Sequence, residues 1–454
     1  MTQPMMRAVE RQRLPLLWGG AGAVVAAFLL TLEFVARHYG HRGPVTSLGR
    51  ELVFAPQSGA VLYGGLALMM VVLTRRQRLL AAGFAIGIDV VFLVVRLAVD
   101  ARPNFGNGAL WVLITCAVIA VTRRTGRERI LMLKGVGLGS LLIAGHKTGA
   151  TWLLITSETR PMVLDPYVAV ADHALGDPSW LAGRVVEASG PLGEGLLGAV
   201  YGQLPLAAAL VALYQLRHVA TEGRFPGHHL VRTFLVIGLL GPAFYMIFPV
   251  VGPVYAYGAD GGAWASAHLW PDVLPTISTP QPFLFDGITP RNCMPSLHTA
   301  WATTLFLHSR NGSRLMRFAG TFWLICTLAA TLGFGYHYGA DLVAGVVFAL
   351  TIEVAMRAFD RGWDRQAGWL VAYGVTVFAA MLVSYRYIPM EMARYPWIFG
   401  PLLILSMLSV IHAYVRLTRQ WNPKTPPPNP DPPIARVRKI VAQRLPDRTQ
   451  QGVL

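Results

Sequence analysis

Two short segments carry ionisable side chains beside apolar runs: RNCMPSLHTAW at 291–301 and GYHYGAD at 335–341. In the second, His337 and Asp341 are four residues apart, a spacing that puts both on one helical face and lets the carboxylate reach one imidazole nitrogen. A carboxylate placed there fixes the tautomer and leaves the other nitrogen basic, as a histidine nucleophile requires. In the first segment, Pro295 is suited to open a helix, so the N–H groups of Ser296, Leu297 and His298 would form a positive pole of the kind that binds phosphate. His298 could then protonate a departing oxygen, completing a two-histidine, one-carboxylate set for covalent phosphoryl transfer. Each motif alone also serves an ordinary structural role; the pair, separated by one excursion across a membrane and back, is more specific.

The elements that position these residues are membrane spans. Of the 454 residues 54% are hydrophobic and 14% charged, against about 25% charged in soluble domains. The net charge of +16 could suggest nucleic acid, but the charges fall in short clusters between apolar runs of about 20 residues, the length that crosses a hydrocarbon core. These runs lack strand alternation, so the sequence predicts an all-α polytopic membrane protein of about twelve helices. The runs lie near 15–36, 57–74, 79–99, 105–122, 133–156, 193–216, 230–251, 297–309, 316–336, 338–356, 367–385 and 397–416. The first, although it follows Arg7, Arg11 and Arg13, is long for a signal peptide and is read as a retained span.

Alternate connections are basic, at Arg75–Arg78, Arg123–Arg129, Arg217–Arg232, Arg310–Arg317 and Arg357–Arg365. The positive-inside rule places them in the cytoplasm, both termini with them, and the two motifs on the extracytoplasmic face of what is expected to be the plasma (inner) membrane. Arg37, Arg42 and Arg50 dissent, since this scheme puts them outside. Four parts are expected: an N-terminal four-helix region at 1–130, a six-helix catalytic core at 131–358, two further helices at 359–418 and a cytoplasmic Pro-rich and basic tail at 419–454. In that tail IARVRKIVAQRL has the pattern of an amphipathic helix on an anionic leaflet, or of a disordered basic tail. Cys116, Cys293 and Cys326 have no paired spacing and read as free thiols. His228 and His229, in a basic loop, read as solvated rather than metal-binding.

The motifs MPSLH at 294–298 and HYGAD at 337–341 resemble those of the type 2 phosphatidic acid phosphatase superfamily, and within it the inositol phosphorylceramide synthase arm. FYMIFPVVGP at 244–253 and LDPYVAVADHALG at 164–176 add to the likeness, which covers about 135–348. The resemblance implies a six-helix core with the site at one membrane face. His337 would form a phosphohistidine, Asp341 support it, and His298 act as general acid, while Pro295 and Ser296 line the phosphate site. The chain departs from the phosphatase branch: Lys147 lies thirteen residues before Arg160-Pro161, Ala330 and Thr331 stand where the third motif begins with Ser-Arg, and PSGH has become PSLH. Lys147, Arg160 and Arg291 are therefore the candidates for the phosphate's cationic clamp.

The function expected is a membrane phosphotransferase moving a phosphoryl-containing headgroup from a lipid-linked donor to a lipid or polyol acceptor. The related alternative is a lipid phosphate or pyrophosphate phosphatase. A twelve-helix transporter is the reading from another class, disfavoured because the distinctive polar residues sit at a surface and no repeat is evident. Neither a nucleotide loop nor a carboxylate cluster calls for a cofactor or metal, and the covalent route needs neither.

Overall fold

A computed structural model describes residues 23–258, 277, 279–287 and 289–421. The basic N-terminal residues and the tail beyond 421 lie outside the described residues, and with them the expected amphipathic segment.

The chain is an all-α polytopic membrane protein. Eight of the described helices are long and apolar enough to cross a bilayer, and two shorter apolar ones accompany them. In order, the N-terminal part contains α1 (23–38), α2 (Pro44–Arg50), α3 (Gly59–Met70), α4 (Arg75–Ala98), α5 (Asn107–Thr122) and α6 (Gly126–Thr159). The RRQR run opens α4 rather than forming a turn before it: Thr74 accepts from the N–H of Gln77, whose side chain bonds back to Thr74, a reciprocal cap that starts the helix at Arg75. A core of Leu62, Leu66, Met69, Leu113 and Ile143 joins α3, α5 and α6.

The middle of the chain holds α7 (Asp165–Asp172), α8 (Pro178–Gly202), α9 (Leu204–Leu216), α10 (Val219–Glu222), α11 (Leu230–Ile247) and α12 (Pro253–Ala256). The run expected at 193–216 is divided. Helix α8 begins at Pro178, bends where Gly190 takes a φ of 62° before Pro191, and ends at Gln203, after which α9 starts with Pro205 in its first turn. Proline lacks the N–H that an unbroken helix would need at these points.

There follow α13 (Leu297–Ser309), α14 (Arg314–Gly333), α15 (Gly339–Arg361), α16 (Arg365–Tyr387), α17 (Pro389–Arg394) and α18 (Pro396–Trp421). The most apolar stretch of α15 is two-thirds buried, far more than that of any other spanning helix. It packs against α11, α13, α16 and α18 and is the axis of the bundle. Where α13 crosses it, Gly345 is required: a Cβ there would lie 2.7 Å from the carbonyl oxygen of Ser296. A two-residue antiparallel pairing of β1 (Met162–Val163) with β2 (Gln281–Pro282) ties the long loop before α13 to the end of α6.

Candidate active site

The chain reverses between α14 and α15 at Gly335, φ 67°, and the turn delivers His337 to the end of α15. Gly252, φ 100°, lets the segment before α12 pass over this turn, since a Cβ there would meet the carbonyl oxygen of Tyr336 at 2.3 Å. His337 Nδ1 lies 3.3 Å from Asp341 Oδ2. The same carboxylate oxygen accepts the backbone N–H of Tyr338 at 2.8 Å and the Cys293 thiol at 2.6 Å, and the sulfur sits 3.3 Å from His337 Nδ1. The imidazole's inner edge is therefore engaged, and Nε2 is its remaining edge. Burial pushes the His337 pKa down to about 3, which keeps the ring neutral and nucleophilic at physiological pH.

His298 arrives from the first turn of α13. Its ring centroid is 6.5 Å from that of His337, at an interplanar angle of 63°. Tyr201 of α8 stacks on His298 with centroids 4.1 Å apart and places its hydroxyl 3.0 Å from Nδ1, which leaves Nε2 for a substrate. Tyr336 packs against Tyr201 at 5.2 Å and faces Tyr255 at 6.4 Å, giving the site a wall of tyrosines.

The 335–341 motif and the segment before α12 are fixed by carboxylates from α7. Asp165, at the first residue of that helix, accepts the N–H groups of Val251 and Gly252 and the hydroxyl of Tyr338; burial raises its pKa to about 6. Asp172, at the other end, accepts the N–H of Ala340 at 2.8 Å, and burial holds its carboxyl well above the usual range. The Ser179 hydroxyl donates to the carbonyl of His337. None of these was singled out by sequence reasoning, nor were Tyr201 and Cys293. The two aspartates do stand in the segment 164–176, and an Asp in an apolar stretch is the signal that could have found them.

Other expected site residues fall differently. Pro295 does not open α13: the helix starts at Leu297 and Ser296 is its cap, accepting from the N–H of Thr299 at 3.3 Å while its own N–H donates to the carbonyl of Asp341. The carbonyl of Pro295 instead accepts from the Tyr245 hydroxyl. The positive pole thus comprises the first amides of α13, Leu297 and His298, beside the imidazole. Lys147 is no clamp. Its ammonium lies 2.7 Å from Glu51, both residues being buried, and an isolated buried charge would be costly without such a partner. Arg291 is fully buried, but its guanidinium donates to the carbonyls of Arg160, Thr289 and Phe283, an arrangement that shapes the loop before α13. Arg160 is exposed at the end of α6. The donors of Lys147 and Arg291 are thus committed to Glu51 and to loop carbonyls.

At the opposite end of the bundle, His228 is not solvated. His228 and His308 each bond Glu353, at 2.9 and 3.2 Å, and Thr233 and Arg357 complete the shell of that buried carboxylate. Gln215 donates to His308 Nδ1 because its oxygen is committed to the N–H of Leu230, which puts the His308 proton on Nε2, facing Glu353. The cluster ties α11, α13 and α15 together, and its His228, His308 and Glu353 side chains have the types and spacing that could hold a metal ion.

A helical membrane bundle thus brings two histidines and a carboxylate together at one end. Consistent with this, residues 168–355 match the family model described as PAP2 superfamily, which supports a lipid phosphatase or phosphotransferase type of function. Residues 16–155 match a model described as a domain of unknown function (DUF5933). No curated protein and no solved structure matches the chain.

Proposed function

We propose that the protein is a membrane phosphotransferase that moves a phosphoryl-containing headgroup between lipid substrates through a phosphohistidine, in the manner of inositol phosphorylceramide synthase. The observation that supports this reading is the facing of His298 and His337 across 6.5 Å with Asp341 behind His337. His337 Nε2 attacks phosphorus while its Nδ1–H remains on Asp341, whose negative charge stabilises the imidazolium formed as the N–P bond is made. As the ester P–O bond breaks, His298, charged to the imidazolium beside the bound phosphate anion, gives its Nε2 proton to the leaving oxygen and becomes neutral. In the second step neutral His298 takes the proton of the incoming alcohol, whose oxygen displaces His337 from phosphorus. Water in place of the alcohol makes the same protein a lipid phosphate phosphatase.

The basic turns lie at the end of the bundle away from His337, so the site is assigned to the extracytoplasmic face of the plasma membrane, with the termini inside. The donor is a phosphate-bearing lipid and the acceptor a lipid or polyol hydroxyl.

Lipid mass spectrometry after expression of the wild type and of His337→Ala tests the proposal. A headgroup-bearing product absent only from the variant is expected, and identical profiles would overturn the transferase. Release of inorganic phosphate without an added alcohol would assign hydrolysis instead.

A further inference from the structure

A cavity of about 480 Å³ lies in the N-terminal part of the bundle, apart from the histidine pair. It is enclosed by α2, the chain at 51–57 and the last turns of α4. This is the same end of the bundle as His337: His41, next to the cavity residue Arg42, touches Glu158 at the end of α6 and Phe285 in the loop before α13. Other arginines share that end, among them Arg160, Arg291 and Arg386, and the cavity wall gathers three more in one place.

Three arginines line the cavity, Arg42, Arg50 and Arg96, together with one carboxylate, Glu51. Glu51 is neutralised by Lys147 and Glu33 is taken by Arg37, while Asp100, between the lining residues Val99 and Ala101, is exposed. No ion pair of Arg42 or Arg50 occurs among the described residues. The Arg50 guanidinium lies over the ring of Phe54 at 4.3 Å, which holds its flat face and leaves the in-plane N–H groups available. Arg96 is locked behind them on the carbonyl of Asn104 and the side chain of Asn107. On the α4 side the wall is apolar and open to the bilayer, Val95 and Val99 being 54% and 68% exposed, while Ser47 and Gln57 add polar groups on the other side.

We propose that this cavity binds the phosphate-bearing headgroup of an anionic phospholipid. Arg42 and Arg50 contact the phosphate, and the acyl chains run along Val95 and Val99. Two unpaired guanidiniums at the rim supply the charge, and the valine face supplies the apolar continuation that a free anion has no use for. The site is independent of the reaction at His337 and stands whether that chemistry is transfer or hydrolysis.

The test uses the full chain purified in neutral detergent, with native mass spectrometry reading bound phosphatidylglycerol against phosphatidylcholine of the same acyl chains. The wild type is expected to prefer phosphatidylglycerol, and the double variant Arg42→Gln, Arg50→Gln to bind it about 30-fold more weakly, about fivefold per guanidinium near an anionic headgroup. Ala101→Trp, which places a bulky ring at the cavity wall and keeps both arginines, is expected to weaken binding as well. Both variants should keep the wild-type melting temperature, because the altered side chains are exposed. Equal binding of the two lipids by the wild type, or unchanged phosphatidylglycerol binding by both variants, would overturn the proposal. Displacement of the lipid by an equal concentration of inorganic phosphate would also overturn it, in favour of a free-anion site.

Discussion

Asp341→Asn isolates what the carboxylate contributes to the attacking imidazole. The substitution keeps the shape of the side chain and removes its charge from a point 3.3 Å from His337 Nδ1. At an effective dielectric of about 20, a full imidazolium charge 3.3 Å from the carboxylate is stabilised by about 5 kcal/mol, an upper bound of about 4,000-fold in rate. The loss of one charge-assisted hydrogen bond, about 2 kcal/mol, sets the lower bound at about 30-fold. The amide adds a tautomer fault in the same direction. Oδ2 now receives the Tyr338 N–H and the Cys293 thiol; an amide N–H turned toward His337 would force the ring proton onto Nε2 and block the nucleophile. The assay is single-turnover formation of acid-labile phosphoenzyme with a phosphate-labelled lipid donor, with thermal unfolding in detergent as the control for folding. A fall in kcat of about 30- to 4,000-fold with little change in KM is expected. Retention of activity within about threefold in a folded protein would refute the role of Asp341, because no arrangement of these distances makes so close a charge silent.

His337→Ala should abolish both label incorporation and turnover, whereas His298→Ala should still accept label from a donor with a good leaving group; equal labelling of His337→Ala and wild type would remove the nucleophile assignment. Because burial lowers the His337 pKa to about 3, its ring should stay neutral as pH falls from 8 to 5, and an NMR titration of histidine-labelled protein showing a midpoint near 6.5 for His337 would contradict this. Lys147→Met leaves Glu51 buried and unpaired and should destabilise the protein by about 3–5 kcal/mol in thermal or denaturant unfolding, while the added change Glu51→Gln should recover part of the loss; equal stability of all three proteins would refute the pairing. Gly345→Ala brings a Cβ to 2.7 Å from the Ser296 carbonyl and should cost about 1–3 kcal/mol by overpacking and displace His298 from His337. A variant with wild-type stability and turnover would show that the crossing of α13 and α15 is not so constrained.

Apolar run length determined most of the helical architecture, because a bilayer leaves the backbone few ways to satisfy its hydrogen bonds. The spans from α11 onward begin and end within a few residues of where the apolar runs do. Division at Gly190–Pro191 and at Gln203 was not legible in a hydropathy pattern, since the apolar character continues through both points. Of the candidate site, the His337–Asp341 spacing was readable because it is local to one helix start. The cap at Ser296 rather than Pro295 is also local, the serine hydroxyl accepting the Thr299 N–H three residues on, and a serine N-cap was the signal that could have placed it.

Where the charges go was decided by packing alone. Lys147, Arg160 and Arg291 are equivalent in sequence as cations near spans, yet one neutralises Glu51, one is exposed and one ties three backbone carbonyls. Asp165 and Asp172 reach Tyr338 and Ala340 across more than 160 residues of chain, and Tyr201 reaches His298 across 97. Residue types and spacing specify which groups can ionise and which face of a helix they share. Only the folding of distant segments onto one another sets the partner of each buried charge, because the cost of an unpaired one is met by whichever group the tertiary structure brings within bonding distance.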